Sequence, residues 1–190
     1  FETTCVECVV RWDHPEFGSL GHDEFVAIAE ESGVGEDIGR WAIDEACRRL
    51  AGWREHYERK FLVSVGLGGR LLRDPGLAPA VRSALERHRL PAAALQLEVS
   101  EASLIDAPDA ARATLAELHG CGVRIGLVDF GTGHSSLGQI RRVPFGSMKL
   151  NPALVAGGTE IENDRLPIEA GDAGAGLDVP VGVPPLVGVV

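Results

Sequence analysis

Through the middle of this 190-residue chain, short apolar runs fit for buried strands alternate with longer stretches of helical spacing. That alternation constrains the fold most, because strand and helix in regular succession build βαβ units around a parallel sheet. Phe61–Leu67, Ala94–Val99 and Ser147–Asn151 read as strands, as does the opening of Val123–Gly138. Between them, Leu77–His88 and Pro108–His119 read as helices, the first with Pro75 and Pro79 confined to its start and the second ended by Gly120. Upstream, Thr4–Trp12 alternates as a strand and Asp13–Gly21, with Pro15 and Gly18, reads as a loop. A helix capped by Asp23 runs through Phe25, Ile28 and Ala29 to about Glu31, and another follows Gly35 with Ile38, Trp41, Ile43, Ala46, Leu50 and Trp53 at helical spacing.

The stretch Val123–Gly138 carries the sharpest local signal. A buried strand breaks into a loop holding Asp129, Gly131 and Gly133, and Ser135 and Ser136 then offer caps for a short helix over Leu137–Arg142. Asp129 can be a turn residue, since Asp and Gly are ordinary turn formers. It can also be a site acid, since parallel α/β folds gather chemistry at strand ends. Glu7, Gly66, Glu98, Asp129 and Lys149 all fall at or near strand ends, which converge on the mouth of a (β/α)8 barrel. Three carboxylates and a lysine at one rim suit divalent-metal chemistry on phosphate, with Mg²⁺ or Mn²⁺ held by oxygen donors. The plainer alternative is surface charge on unrelated strand ends. Gln96, Glu98 and Ser100 share one face of the third strand.

Composition limits the partners. A net charge of −10 argues against sequence-independent DNA or RNA binding. No run approaches the roughly 20 apolar residues of a membrane span, and no signal segment opens the chain. Cys5 and Cys8 form a C-x-x-C, but on a strand residues three apart face opposite ways and no second cluster completes a zinc site. Buried thiols in a reducing cytoplasm are the expectation. Opening on Phe1 rather than Met, the chain reads as a piece of something longer. After Asn151 the composition shifts, and residues 155–190 form a Gly/Pro/Val-rich acidic tail with Arg165 its only basic residue, expected to be irregular or poorly ordered.

The ordered motifs resemble the EAL domains of bacterial cyclic di-GMP phosphodiesterases. Matching segments are Val6–Pro15, where Glu-Cys-Val stands for Glu-Ala-Leu, then Asp23–Gly33, Gly39–Trp53, Leu97–Leu104, Val123–Pro144 and Met148–Leu150. The resemblance implies an α/β fold, a partial (β/α)8 barrel of the triosephosphate-isomerase type over residues 1–154, lacking the opening strand and the last strands. It implies hydrolysis of cyclic di-GMP to linear pGpG with two Mg²⁺ or Mn²⁺ ions. Carried over by position, Glu7, Glu98 and Asp129 resemble metal ligands and Arg11 the phosphate-contacting arginine, while Val9 falls where the motif leucine meets the ligand. Glu101 resembles the acid that anchors the loop after the Asp-Phe-Gly strand, and Lys149 the lysine near the attacking water.

The departures count as heavily. Gly66 replaces the family's asparagine ligand, and Val128 replaces the first aspartate of its Asp-Asp pair, which bridges both metals. Asn151 replaces an aspartate, and the late glutamate segment has no match. At most one weakly held ion is expected, with cyclic di-GMP bound weakly or not at all. The expected role is that of a degenerate module without hydrolytic activity, acting in cyclic di-GMP signalling by interaction with other signalling domains or proteins or by weak ligand sensing. A homodimer through Gly131–Ser136 and the helix after it fits the resemblance. An active phosphodiesterase completed by residues outside the chain, and a non-functional gene remnant, stand as alternatives.

Overall fold

The computed structural model describes residues 5–57, 61–105, 108–131, 143–151 and 188–189. Strands β1 (Cys5–Cys8), β2 (Val10–His14) and β3 (Gly18–Leu20) lead into helices α1 (His22–Ser32) and α2 (Gly35–His56). Then come β4 (Leu62–Leu67), α3 (Gly69–Leu72), α4 (Leu77–Arg87), β5 (Leu95–Ser100), α5 (Glu101–Ile105), α6 (Pro108–Gly120), β6 (Arg124–Phe130), β7 (Ser147–Leu150) and β8 (Gly188–Val189). Five of these strands form one sheet in the order β1-β4-β5-β6-β7, parallel throughout. The expected partial barrel is there, as a curled half-barrel.

Each βα unit follows from its residues. On β5, Leu95, Leu97 and Val99 face the helical layer and are fully buried, while Gln96, Glu98 and Ser100 face the other way, by the twofold alternation of a strand. The helices return their apolar stripes to the same layer. Ile43 and Leu50 of α2, Leu77 and Val81 of α4, and Leu115 and Leu118 of α6 join Val63, Ile125 and Leu127 in one core. Burying a leucine such as Leu50 or Leu97 stabilises the fold by roughly 2 kcal/mol. Gly39 lets α2 sit close to α3, since a Cβ there would overlap Leu71 Cδ2.

The N-terminal region departs from the sequence reading. Thr4–Trp12 is not a single strand. The chain leaves the parallel sheet at Val9, and β2 pairs antiparallel with β3 and with β8. Alternation runs unbroken through the switch, so the sequence pattern does not mark it. Residues 13–21, expected as loop, contain a hairpin. Gly18 adopts φ +75°, and the His14 ring nitrogen accepts the backbone N–H groups of Glu16 (3.1 Å) and Phe17 (3.3 Å). Trp12 stacks edge-on against Phe25, seating the hairpin on α1.

Asp23 does not cap α1. Gly21 is the N-cap, and its N–H donates to Glu24 Oε2 at 2.7 Å, half of a capping box. Gly33, at φ +78°, ends the helix in a left-handed cap. The strand expected over Ala94–Val99 begins one residue later, and Asn151 follows β7 rather than belonging to it. Of the tail, Gly188–Val189 forms β8, and residues 155–187 and 190 lie outside the described residues. So do Gly133, the capping serines Ser135 and Ser136, the helix read over Leu137–Arg142 and most of the stretch read as a dimer contact.

Candidate functional site

The sheet curls until its two edge strands meet through side chains. Lys149, on β7, donates from Nζ to Glu7 Oε2 on β1 at 3.0 Å and to Glu98 Oε2 on β5 at 2.8 Å. Glu98 is 3% exposed, so its charge needs compensation inside the protein. It has two partners, because Gln96 Nε2 donates to its other oxygen at 3.0 Å. Burial acts most strongly against the charge on Lys149, but the bonds to Glu98 and Glu7 outweigh it and hold its pKa above the usual 10.5.

Sheet register explains the room around Glu98. Its cross-strand neighbours are Gly66 on β4 and Gly126 on β6. A Cβ at Gly66 would meet nothing within 4 Å. At Gly126 it would lie 2.9 Å from Ser147 Oγ and 3.1 Å from Gln96 Nε2. One glycine thus leaves open space, and the other makes way for Gln96. Gln96 holds the buried carboxylate; its shared strand face was the only sequence sign of that.

At the end of β6 the pairing with β7 shifts register between Leu127 and Phe130. Asp129 there takes φ +56°, a left-handed conformation rare outside glycine, asparagine and aspartate. Such irregularities re-aim side chains at strand ends. The following Gly131, at φ +100°, donates its N–H to Glu101 Oε2 at 2.9 Å. Glu101 is 3% exposed and opens α5, whose N-terminus Ser100 satisfies by accepting the Ser103 N–H at 3.2 Å.

Glu7, Val9, Gly66, Glu98, Val128 and Asp129 line a common cavity of about 400 Å³ at the C-terminal ends of the parallel strands. Arg11 does not line it. Carried by β2 into the antiparallel pairing with Gly188, Arg11 makes no ion pair with a described residue. The structure therefore brings together Glu7, Glu98 and Lys149 by direct bonds, and Val9 and Asp129 by the shared cavity.

As donors, these residues do not fit a pair of cations. Gly66 and Val128 have no side-chain oxygen, both oxygens of Glu98 are engaged by Gln96 and Lys149, and an ammonium occupies the space between Glu7 and Glu98. Among the described residues, no group of three or more His, Cys, Asp or Glu side chains is arranged to hold a metal ion.

Parallel strands curling so that acids gather at their C-terminal ends define a partial (β/α)8 barrel with an acidic mouth. The EAL domain pattern matches residues 2–170, and the chain belongs to the EAL domain family. Family chemistry depends on divalent cations. Over 150 residues the chain is 36% identical to the bifunctional diguanylate cyclase/cyclic di-GMP phosphodiesterase MucR of Pseudomonas aeruginosa, covering 79% of this chain and 22% of MucR. It is 32% identical over 154 residues to the cyclic di-GMP phosphodiesterase PdeR of Escherichia coli, covering 81% of this chain and 23% of PdeR. The chain thus spans less than a quarter of either relative. A solved structure of the MucR phosphodiesterase in complex with c-di-GMP matches with a TM-score of 0.76 at 35% identity, covering 81% of this chain and 62% of that one. Among the described residues no helix is long and apolar enough to cross a membrane.

Proposed function

We propose that this chain is a degenerate EAL module that does not hydrolyse cyclic di-GMP and contributes to cyclic di-GMP signalling through contact with other signalling domains or proteins. The observation that carries this reading is Lys149 bonded at once to Glu7 and Glu98. Glu7, Glu98 and Asp129 are the retained candidates for metal ligands, and Lys149 the candidate neighbour of the attacking water. With Gly66 and Val128 in place of oxygen donors, they amount to a set that holds one Mg²⁺ or Mn²⁺ weakly at most, because these small ions tolerate little slack in coordination. Two-metal hydrolysis needs a donor shared between the ions, and valine supplies none.

Electrostatics act in the same direction for the ligand. Glu7, Glu98 and Asp129 present negative charge to a dinucleotide with two phosphates, and the lysine is already engaged. Cyclic di-GMP then binds weakly or not at all. In the test, the chain is titrated with Mn²⁺ and then with cyclic di-GMP while linear pGpG is followed by chromatography. No pGpG above buffer is expected. Turnover in Mn²⁺ that Glu7→Ala abolishes overturns the reading.

The cavity itself favours a second reading. Glu7, Glu98 and Asp129 still line one cavity, and the space at Gly66 is open for a group from elsewhere. In that reading the module is an active phosphodiesterase completed by residues outside this chain. It predicts activity in a longer protein but none in the 190 residues alone.

A further inference from the structure

A second cavity lies at the opposite end of the strands. It measures about 350 Å³ and is lined by Arg54, Phe61, Leu62, Pro91, Ala94 and Arg124. Arg54 is in the last turn of α2, Leu62 opens β4, Arg124 opens β6, and Pro91 and Ala94 flank the turn that leads into β5. Since the strands are parallel, these positions gather at their N-terminal ends, away from the acidic mouth.

Neither arginine here has the carboxylate partner that six other described arginines have. Arg40, Arg48, Arg49, Arg82, Arg87 and Arg112 each meet a carboxylate. Arg54 and Arg124 form no ion pair with a described residue; Arg124 is exposed, and Arg54 Nε is buried with no hydrogen-bond acceptor among the described residues. A sequestered guanidinium donor without an acceptor costs free energy, and the cost falls when an acceptor arrives.

The remaining walls define what could bring that acceptor. Phe61, Leu62, Pro91 and Ala94 offer apolar surface, and the volume falls in the range of small-molecule pockets. Guanidinium groups match the planar fork of a carboxylate or the oxygens of a phosphate. We propose that this cavity binds a small organic anion, a single carboxylate or phosphate group on an apolar body, through Arg54 and Arg124. Its ligand is separate from anything taken at the acidic mouth, so the proposal stands whether or not the mouth is active.

Calorimetric titration of the full chain with phenyl phosphate, benzoate and inorganic phosphate tests this. Trp53, whose ring lies 5.9 Å from that of Phe61, gives an independent fluorescence readout. Saturable binding of phenyl phosphate or benzoate is expected, at least tenfold tighter than inorganic phosphate, and the tighter of the two identifies the head group. Arg54→Gln and Arg124→Gln should each weaken that binding tenfold or more, whereas Arg82→Gln, which removes a paired surface arginine, should leave it within twofold. If a glutamine variant melts early, Arg54→Lys and Arg124→Lys keep the charge and lose the fork, and a threefold or greater weakening is expected. No saturable binding of either organic anion, equal affinity for inorganic phosphate, or insensitivity to Arg54 and Arg124 overturns the proposal.

Discussion

Lys149 and Glu7, 142 residues apart in the chain and on opposite edge strands of the sheet, are joined by a 3.0 Å ion pair. No backbone ladder connects β1 to β7. The lysine therefore spans the seam of the half-barrel, with buried Glu98 as its second anchor.

Removing that lysine should strand a buried charge. Lys149 is 46% exposed, so the loss falls between that of a surface pair and that of a buried one, about 2 kcal/mol for Lys149→Met. Glu98→Gln in the Lys149→Met background should recover roughly half of it, because the uncompensated carboxylate is gone. Urea unfolding of the four proteins gives the coupling energy, and strict additivity would refute it.

Gly126→Ala tests the glycine beside Glu98. Its methyl group meets Ser147 Oγ and Gln96 Nε2, so Gln96 must withdraw from the buried carboxylate. A destabilisation of about 1–3 kcal/mol is expected, from crowding and a lost hydrogen bond. Gly66→Ala, with nothing within 4 Å, should cost much less. Thermal melts of the two variants side by side decide the matter.

Added oxygen donors should raise cation affinity. Gly66→Asn has open space to occupy, and Val128→Asp adds a carboxylate next to Asp129 in the same cavity. Together they should raise Mn²⁺ affinity tenfold or more in calorimetry, with Lys149 displaced from Glu98. Unchanged affinity would mean that the absence of side-chain oxygens at these positions does not limit binding.

Acid should loosen the link from α2 to the loop before α4. The Gly76 N–H and then Arg40 hold the pKa of Asp74 below its ordinary 3.8, and Arg48 and Arg49 hold Glu45 below 4.5 against the effect of its burial. Carboxylates lowered on folding add stability above their unfolded pKa values and lose it as pH falls through the folded ones. Stability should thus decline from about pH 4.5 downward, and Asp74→Asn should flatten the lower part of that decline. A series of melts from pH 7 to pH 2 reads both effects.

Thiol reactivity should divide the four cysteines. Burial, above all, pushes the thiols of Cys8 and Cys47 up to about 12, so they carry almost no thiolate near neutrality. Cys5 is exposed and Cys121 partly so. Maleimide at pH 7 should modify Cys5 and Cys121 in the folded chain, and Cys8 and Cys47 only after unfolding. Mass spectrometry of tryptic peptides distinguishes the sites.

The barrel portion was legible because each of its signals is local. An alternating segment such as Leu95–Val99 between two amphipathic helices reads as a strand with one face on the helical layer, and the family motifs lie on those strands. Less legible was whatever depends on how the sheet turns in space. Val9 continues the alternation of both β1 and β2, so the change of sheet leaves no mark, and Arg11 is carried away from the cavity where the family resemblance places it. The hairpin at His14–Gly18 rests on a ring nitrogen accepting two backbone N–H groups, which turn propensities do not encode. Lys149 meeting Glu7 depends on accumulated curvature over five strands, a property of no single segment.

The left-handed backbone at Asp129 has a consequence for how such a module would change over time. Selection on the peptide geometry alone tolerates aspartate, asparagine or glycine there and penalises bulkier or branched residues. An acid can thus persist at this corner long after its charge has ceased to be used. Replacement by asparagine, which keeps the shape and discards the charge, separates what the turn requires from what any chemistry at the cavity requires.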